Sequence, residues 1–148
     1  MPSTYVSLYY HIVFSTKLRL ARIRGPWQER LYSYLGGVLR GLKAVSEGTG
    51  GTEDHVHILA SLRAAHCLAE VVRDLKSSSS KWVHEVIGDP HFGWQDGYGA
   101  FTVGKSQVED VKEYIRSQKE HHRKRTFQEE FLDLLRENGI EYDKRFLW

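Results

Sequence analysis

The chain has 148 residues, of which 41% are hydrophobic and 12% aromatic. This is enough apolar material for one compact domain over residues 1–148, and it excludes a disordered chain. No apolar run approaches the roughly 20 residues of a membrane span, and residues 1–10 lack a signal-peptide pattern, so we expect a cytoplasmic protein with no membrane partner. The net charge of +2 does not by itself identify a nucleic-acid-binding protein.

The first part of the chain predicts a strand, a helix and two further strands. Residues 5–14 alternate between apolar and polar side chains, as in a strand with one buried face. A helix begins at Gly25-Pro26, because proline favours the first helical position. A short strand over residues 43–47, followed by a glycine turn at residues 48–51, precedes an alternating strand over residues 54–62.

The middle of the chain predicts one long helix and a fourth strand. An apolar stripe at helical spacing covers residues 66–87 and passes through Ser77–Ser80, so we expect these four serines to be helical. Residues 88–97 are rich in glycine and include Pro90, which indicates a loop. Residues 98–103 follow as a strand.

Two capping boxes predict two helices near the end of the chain. Ser106 with Glu109 begins a helix that extends to His121, and Thr126 with Glu129 begins another that ends at Asn138-Gly139. The tail over residues 140–148 is aromatic and charged, and it docks either on the body of the protein or on a partner.

The order of these elements predicts an α+β fold. Its core is a ferredoxin-like βαββαβ antiparallel sheet with two helices on one face, and additional C-terminal helices follow. The opposite face of the sheet carries His55 and His57 and should meet the helix over residues 106–121.

His55 and His57 lie two residues apart on a strand, so both imidazoles point to the same side. Neutral imidazoles at this spacing can hold one metal ion, although a pair of structural histidines has the same pattern. Asp54 could orient an imidazole or could simply be a turn residue.

Tyr114 and Gln118 lie four residues apart on a predicted helix and therefore share a face. Two histidines and an amide oxygen would provide three neutral ligands, a set that suits Mn²⁺ better than Mg²⁺. A tyrosine, with an ordinary pKa of about 10, needs a nearby cation or base to act as a nucleophile at neutral pH.

Several short motifs occur in a fixed order along nearly the whole chain. They are YYHIVFSTK (9–17), EDHVHIL (53–59), LKSSSSKW (75–82), GYGAFTV (97–103), VKEYIRSQ (111–118) and the tail from Gly139 to Trp148. In this set the chain resembles the small insertion-sequence and REP-associated transposases, which use one catalytic tyrosine and a histidine–hydrophobe–histidine (HUH) motif. Leu18-Arg19 departs from the residues that many relatives carry after the lysine.

The resemblance implies a prokaryotic DNA transposase. His55, Val56 and His57 would be the HUH motif, Gln118 the third ligand of Mg²⁺ or Mn²⁺, and Tyr114 the nucleophile that forms a 5′-phosphotyrosine. The implied partners are single-stranded or hairpin DNA and a second copy of the chain, in a homodimer with shared active sites. Basic side chains suited to DNA phosphates, each of which could also be merely solvated, are Lys17, Arg19, Arg22, Arg24, Lys76, Lys81 and Arg116.

Three other functions are compatible with parts of the pattern. A nucleotidyl hydrolase with a histidine-triad motif would need a third alternating histidine, and position 59 is Leu. A catalytically silent hairpin-DNA-binding protein would not need the tyrosine and the histidines that this chain retains. A replication initiator shares the HUH chemistry, but we expect no room in this chain for an additional helicase domain.

Overall fold

The computed structural model describes residues 3–147, in which four strands form one sheet and helices cover both of its faces. The strands are β1 (Tyr9–Ser15), β2 (Val45–Gly51), β3 (His55–Ser61) and β4 (Gly99–Val103). The helices are α1 (Gly25–Gly41), α2 (Leu68–Trp82), α3 (Val108–Arg116), α4 (Gln118–His121) and α5 (Phe127–Glu137). A π-helical turn at Val83–Ile87 extends α2, and 3₁₀ turns lie at Lys17–Arg19, Lys105–Gln107 and Lys144–Phe146.

The sheet has the order β2-β3-β1-β4, and every neighbouring pair is antiparallel. Ile12 in the centre of β1 lies opposite Ile58 of β3 on one side and Ala100 of β4 on the other. This order confirms the predicted ferredoxin-like βαββαβ fold with additional C-terminal helices.

The two faces of the sheet differ in chemistry because strand side chains alternate. Ile12, Phe14 and Ile58 point to one face, where they pack with Leu31 of α1 and Leu75 of α2 in the main hydrophobic core. The opposite face is covered by the C-terminal helices, and its apolar contacts form two smaller clusters that flank buried polar side chains. One face therefore supplies stability, and the other encloses a polar centre.

Two predicted boundaries in the first half of the chain are wrong. β1 begins at Tyr9, not at residue 5, and the glycines at 48, 50 and 51 lie in β2 and not in a turn. A Cβ on Gly50 would lie 2.4 Å from the backbone oxygen of Ile115, and one on Gly51 would lie 2.1 Å from that of His55. These glycines therefore allow close backbone approach, a role that glycine also has in strands.

The C-terminal helices differ from the prediction at two points. Ser106 lies inside a 3₁₀ turn, so the capping box with Glu109 is not formed, and α3 begins at Val108 with no side-chain cap. The helix is also interrupted at Ser117, whose ψ of 20° leaves the helical region. The predicted capping box of Thr126 with Glu129 is confirmed at the start of α5.

Two other predictions from the sequence are confirmed. The serines at 77–80 are helical, and the buried Ser79 hydroxyl donates to the Leu75 carbonyl while it accepts a hydrogen bond from the Trp94 indole. The tail docks on the body, because Tyr142 and Leu147 pack against the cluster around Phe131; Trp148 lies outside the described residues. No helix within residues 3–147 combines the length and the hydrophobicity needed to cross a membrane.

Candidate active site

The polar centre begins with three histidines on the two central strands. His55 and His57 of β3 are fully buried, and both point to the face that the C-terminal helices cover. His11 of β1 reaches the same place, where its Nε2 lies 2.7 Å from His57 Nδ1. Burial, followed by the charge of the neighbouring imidazole, lowers the pKa of His11 to about 3.

Asp54 holds His55 in position at the start of β3. Its Oδ1 lies 2.8 Å from His55 Nδ1, and it also accepts a hydrogen bond from the Thr52 hydroxyl. Burial raises the pKa of Asp54, but the hydrogen bond and charge of His55, together with the hydrogen bond from Thr52 and the charge of His122, outweigh burial and hold the pKa below the usual range. Of the two interpretations of Asp54, the geometry favours the residue that orients an imidazole.

Gln118 at the start of α4 approaches the same histidine from the opposite side. Its Oε1 lies 3.0 Å from His55 Nε2, while its amide nitrogen donates to Glu130 Oε2 at 3.1 Å and, more weakly, to the Tyr114 carbonyl at 3.4 Å. A flipped amide would place its oxygen against these two acceptors, so the network fixes the oxygen toward His55.

Tyr114 on α3 lies beside the histidines, with its ring centroid 5.8 Å from that of His57. Its hydroxyl donates to Glu130 Oε2 and accepts a hydrogen bond of 3.1 Å from the Arg125 guanidinium. Burial, together with the hydrogen bond and charge of Glu130, raises the pKa of Tyr114 above its ordinary value, and the charge of Arg125 opposes this shift.

Glu130 on α5 lies at the centre of the site and is fully buried. Its Oε1 is 3.0 Å from His57 Nε2, 3.1 Å from His122 Nε2 and 3.5 Å from His55 Nε2. Burial raises the pKa of Glu130, but the hydrogen bonds from His122 and His57 prevail and hold it far below the usual range. The buried carboxylate is therefore ionised and is compensated by the groups around it.

Packing of α5 explains why this carboxylate reaches the centre. Phe127 and Phe131, on either side of Glu130 along the helix, pack in the cluster with Val13 and Phe101, and the Phe127 ring stacks on His55 at 4.4 Å. Sequence reasoning missed Glu130, although an acidic residue within a stripe of aromatic residues at helical spacing was a usable signal. Strand alternation similarly placed His11 on the same face as the histidine pair.

The residues at this centre fit a divalent metal ion. His55, His122 and Glu130 offer ligand atoms that all lie within 4.8 Å of one another. His57 belongs to the same network through its hydrogen bond with Glu130. Imidazole nitrogens and a carboxylate oxygen are suitable ligands for first-row divalent metals. Of these residues, the sequence motifs predicted His55 and His57 but not His122 or Glu130.

The predicted DNA-binding residues do not all have the same surroundings. Lys17, Arg19, Arg22 and Arg24 lie on the segment between β1 and α1, where Leu18 and Arg19 have positive φ values of 58° and 55°. Lys76 is half-buried and donates to the carbonyls of Gln95 and Gly97, so it holds the loop before β4. Lys81 and Arg116 are exposed on α2 and α3.

A cavity of about 740 Å³ lies beside the site, and its lining includes four basic side chains and three acidic ones. Lys119, Arg123 and Lys124 line it, together with His122 and Asp54, which belong to the polar centre. The cavity therefore brings basic side chains from the surface next to His122 and Asp54 at the edge of the polar centre.

A ferredoxin-like sheet with a buried histidine pair under a tyrosine-bearing helix is the arrangement that the resemblance to HUH transposases predicts. The chain belongs to the family described as "Transposase IS200 like", whose profile matches residues 4–118. No curated protein matches the chain.

Two solved structures share the fold. One is a protein of Deinococcus radiodurans R1 assigned as a transposase, with 21% identity and a TM-score of 0.65 over 80% of this chain and 95% of its own. The other is a REP-associated tyrosine transposase bound to a REP hairpin, with 13% identity and a TM-score of 0.60 over 82% of this chain and 73% of its own.

Proposed function

We propose that this transposase cleaves and rejoins single-stranded DNA at the hairpin-flanked ends of a mobile element, through a covalent 5′-phosphotyrosine on Tyr114. The observation that carries the proposal is that the Tyr114 hydroxyl lies in the same buried network as His57, Gln118 and Glu130. A tyrosine in the family's motif thus meets the histidine pair within one folded chain.

The cofactor in this proposal is Mg²⁺ or Mn²⁺, held by His55, His57 and Gln118. When bound, the ion would polarise the scissile phosphate and stabilise the departing 3′ oxygen. The donor atoms support this assignment, because the Gln118 oxygen and the Glu130 carboxylate both approach imidazole nitrogens of the histidine pair.

In this proposal the Tyr114 oxygen is the nucleophile, and Arg125 would assist it. The Tyr114 oxygen gives up its proton and forms a bond to phosphorus while the bond from phosphorus to the 3′ oxygen breaks; the departing 3′ oxygen takes up a proton, which leaves a free 3′-hydroxyl and no net change in protons. The Arg125 guanidinium, 3.1 Å from that oxygen, stabilises negative charge that develops on it. Because the phosphotyrosine bond retains the energy of the phosphodiester, attack by a 3′-hydroxyl can reverse the reaction without ATP.

The DNA partner is part of the same proposal. The cavity beside the site carries Lys119, Arg123 and Lys124, which suit the phosphates of a DNA backbone. The similar tyrosine transposase that is bound to a REP hairpin supports hairpin DNA as the substrate class. The homodimer implied by the resemblance remains a prediction.

The test is covalent capture of DNA by the purified protein. We expect a labelled single-stranded hairpin from the flanks of its own gene, incubated with Mn²⁺, to migrate with the protein on a denaturing gel. Tyr114→Phe should abolish this adduct and retain hairpin binding, because only the nucleophilic oxygen is removed. Tyr98→Phe, a tyrosine outside the polar centre, is the matched control and should retain the adduct.

The outcomes distinguish the main alternatives. An adduct of normal yield in Tyr114→Phe would show that another residue is the nucleophile. Hairpin binding by the parent protein without any adduct would instead indicate a catalytically silent DNA-binding protein. Nucleotide hydrolysis with neither DNA binding nor adduct would favour the nucleotidyl hydrolase.

A further inference from the structure

We propose that Glu130 and His122 are additional ligands of the divalent cation and that Glu130 also links this cation to Tyr114. The proposal rests on the proposed function only for the presence of a cation at the histidine pair. With these two ligands the site is no longer a set of three neutral ligands. It becomes a histidine–carboxylate centre to which α5 contributes the carboxylate.

The spacing of the donor atoms is the first argument. Glu130 Oε1 lies 3.0, 3.1 and 3.5 Å from the Nε2 atoms of His57, His122 and His55, and Gln118 Oε1 lies 3.0 Å from His55 Nε2. Ligands bonded to one ion at about 2.0–2.2 Å are separated from their neighbours by about 3.0–3.5 Å. Glu130 Oε1 therefore already lies at ligand-shell separations from the three Nε2 atoms, and the ligand atoms of His55, His122 and Glu130 all lie within 4.8 Å of one another.

The hydrogen-bonding capacity of His55 is the second argument. A neutral imidazole has one N–H, and His55 Nδ1 lies 2.8 Å from the Asp54 carboxylate, which can only accept when ionised. Nε2 then presents a lone pair, yet its neighbours are the acceptor oxygens of Gln118 and Glu130. The lone pairs of the nitrogen and of the two oxygens point toward one another, and a cation bound between them would accept all of them.

His57 and His122 can contribute in the same manner. When a cation replaces the hydrogen bond between His57 and Glu130, His57 would donate its Nδ1–H to His11 and present its Nε2 lone pair on the side of Glu130 Oε1. His122 directs Nε2 to the same oxygen and lines the cavity that carries Lys119, Arg123 and Lys124, which is the side from which DNA would approach in the proposed function. Three imidazoles and one carboxylate favour Mn²⁺ and the later first-row metals over Mg²⁺.

The second carboxylate oxygen of Glu130 makes the connection to the tyrosine. Oε2 accepts hydrogen bonds from the Tyr114 hydroxyl and from the Gln118 amide, while Oε1 faces the imidazoles. A carboxylate that binds the cation through one oxygen would therefore fix the position of the Tyr114 hydroxyl through the other. Glu130 is thus a ligand and, for Tyr114, a positioning residue.

The experiment measures binding of Mn²⁺ alone, from the loss of the free-ion EPR signal in a titration of the full chain. We expect Glu130→Gln to weaken Mn²⁺ binding by about tenfold or more, since even partners outside the ligand shell contribute about 10–100-fold. Glu129→Gln is the matched control: Glu129 is exposed, and glutamine preserves a capping box, so binding should stay within about twofold.

A second variant keeps the test valid if Glu130→Gln does not fold. His122 lies in the connection before α5 and keeps 12% of its side chain exposed, whereas the Glu130 side chain is fully buried. We expect His122→Asn to weaken Mn²⁺ binding at least severalfold, while His91→Asn, in the exposed loop before β4, should have no effect.

Each contrary outcome has a distinct meaning. Unchanged or tighter Mn²⁺ binding in both Glu130→Gln and His122→Asn would overturn the additional ligands, and if His55→Ala abolished binding, the cation of the proposed function would stand. No Mn²⁺ binding by the parent protein would overturn the cation in both proposals. Mn²⁺ binding that depends on Glu130, without a DNA adduct, would support this centre and contradict only the proposed reaction.

Discussion

His11 and His57 form a buried pair of imidazoles beneath α3 and α5. Burial, with the charges of neighbouring histidines, lowers the pKa of His11 to about 3 and that of His57 to about 4, although Glu130 opposes both shifts. Both side chains therefore remain neutral in the folded protein at a pH where they would be protonated in the unfolded chain. The free energy of unfolding consequently decreases as the pH falls.

This pair predicts acid sensitivity of the metal-free protein. Stability from each histidine is fully present above pH 6.5, the unfolded pKa, and is lost as the pH falls toward the folded values near 4 and 3. At pH 5 we expect each to lower the free energy of unfolding by about 2 kcal/mol. Urea unfolding at pH 7 and pH 5 measures this decrease in the free energy of unfolding. The decrease should be smaller in His11→Gln, which lacks one of the two imidazoles.

The control for this prediction is His91, which is exposed in the loop before β4. His91→Gln should show the same decrease between pH 7 and pH 5 as the parent protein. Equal stability of the parent protein at the two pH values would contradict the neutral buried pair.

The sequence motifs were sufficient to select four candidate site residues, and the structure brings all four together. His55, His57, Tyr114 and Gln118 meet at one centre. Their roles as ligands and nucleophile stay predictions. The aromatic stripe of α5 indicates that Glu130 faces the sheet, but its position at the histidines depends on how α5 packs against the sheet, which no local pattern determines.

Close contact between β2 and α3 is the main constraint among the elements. A Cβ on Gly50 would lie 2.4 Å from the Ile115 carbonyl oxygen and 3.1 Å from the Ile115 side chain. Since Ile115 follows Tyr114 in α3, the absence of a side chain at Gly50 determines how closely the tyrosine-bearing helix approaches the histidines.

We expect Gly50→Ala to destabilise the protein by about 1–3 kcal/mol, because the contact is with backbone atoms and the helix would have to move. Gly48→Ala is the matched control on the same strand, since a Cβ there would meet only the Lys112 side chain at 4.0 Å. Its effect should stay within about 0.5 kcal/mol in urea unfolding. Similar stabilities of the two variants would show that α3 does not pack tightly on Gly50.

Helix boundaries were predicted well where a local motif is sufficient and poorly where it is not. Pro26 and the Thr126–Glu129 capping box act within one helical turn, and both lie at observed helix starts. Ser106 has an equally good motif, but a 3₁₀ turn over Lys105–Gln107 occupies its place. The predicted end of β2 is wrong because its glycines were assigned to a turn. Gly50 instead allows β2 to approach Ile115 of α3, a helix that is distant in sequence.

At the scale of the molecule, the antiparallel topology explains how distant residues form one centre. The crossover through α1 leads from β1 to β2, and β3 then returns between these two strands, so the histidines of β1 and β3 meet on the face that α1 and α2 leave free. The segment after β4 then returns across this face and supplies Tyr114, Gln118 and Glu130. The main core and the polar centre thus lie on opposite sides of one sheet.

This arrangement leads to a prediction about the assembly. The resemblance implies a homodimer in which the tyrosine of one subunit serves the histidines of the other, whereas here Tyr114 lies beside His57 of its own chain. We therefore expect that a mixture of Tyr114→Phe and His55→Ala proteins, unfolded and refolded together, will form no covalent DNA adduct. With shared sites, half of the dimers would be mixed and each would contain one intact site, which restores about a quarter of the parental adduct. The adduct yield of the mixture, compared with each variant alone and with the parent protein refolded in the same way, decides whether the tyrosine acts within its own chain.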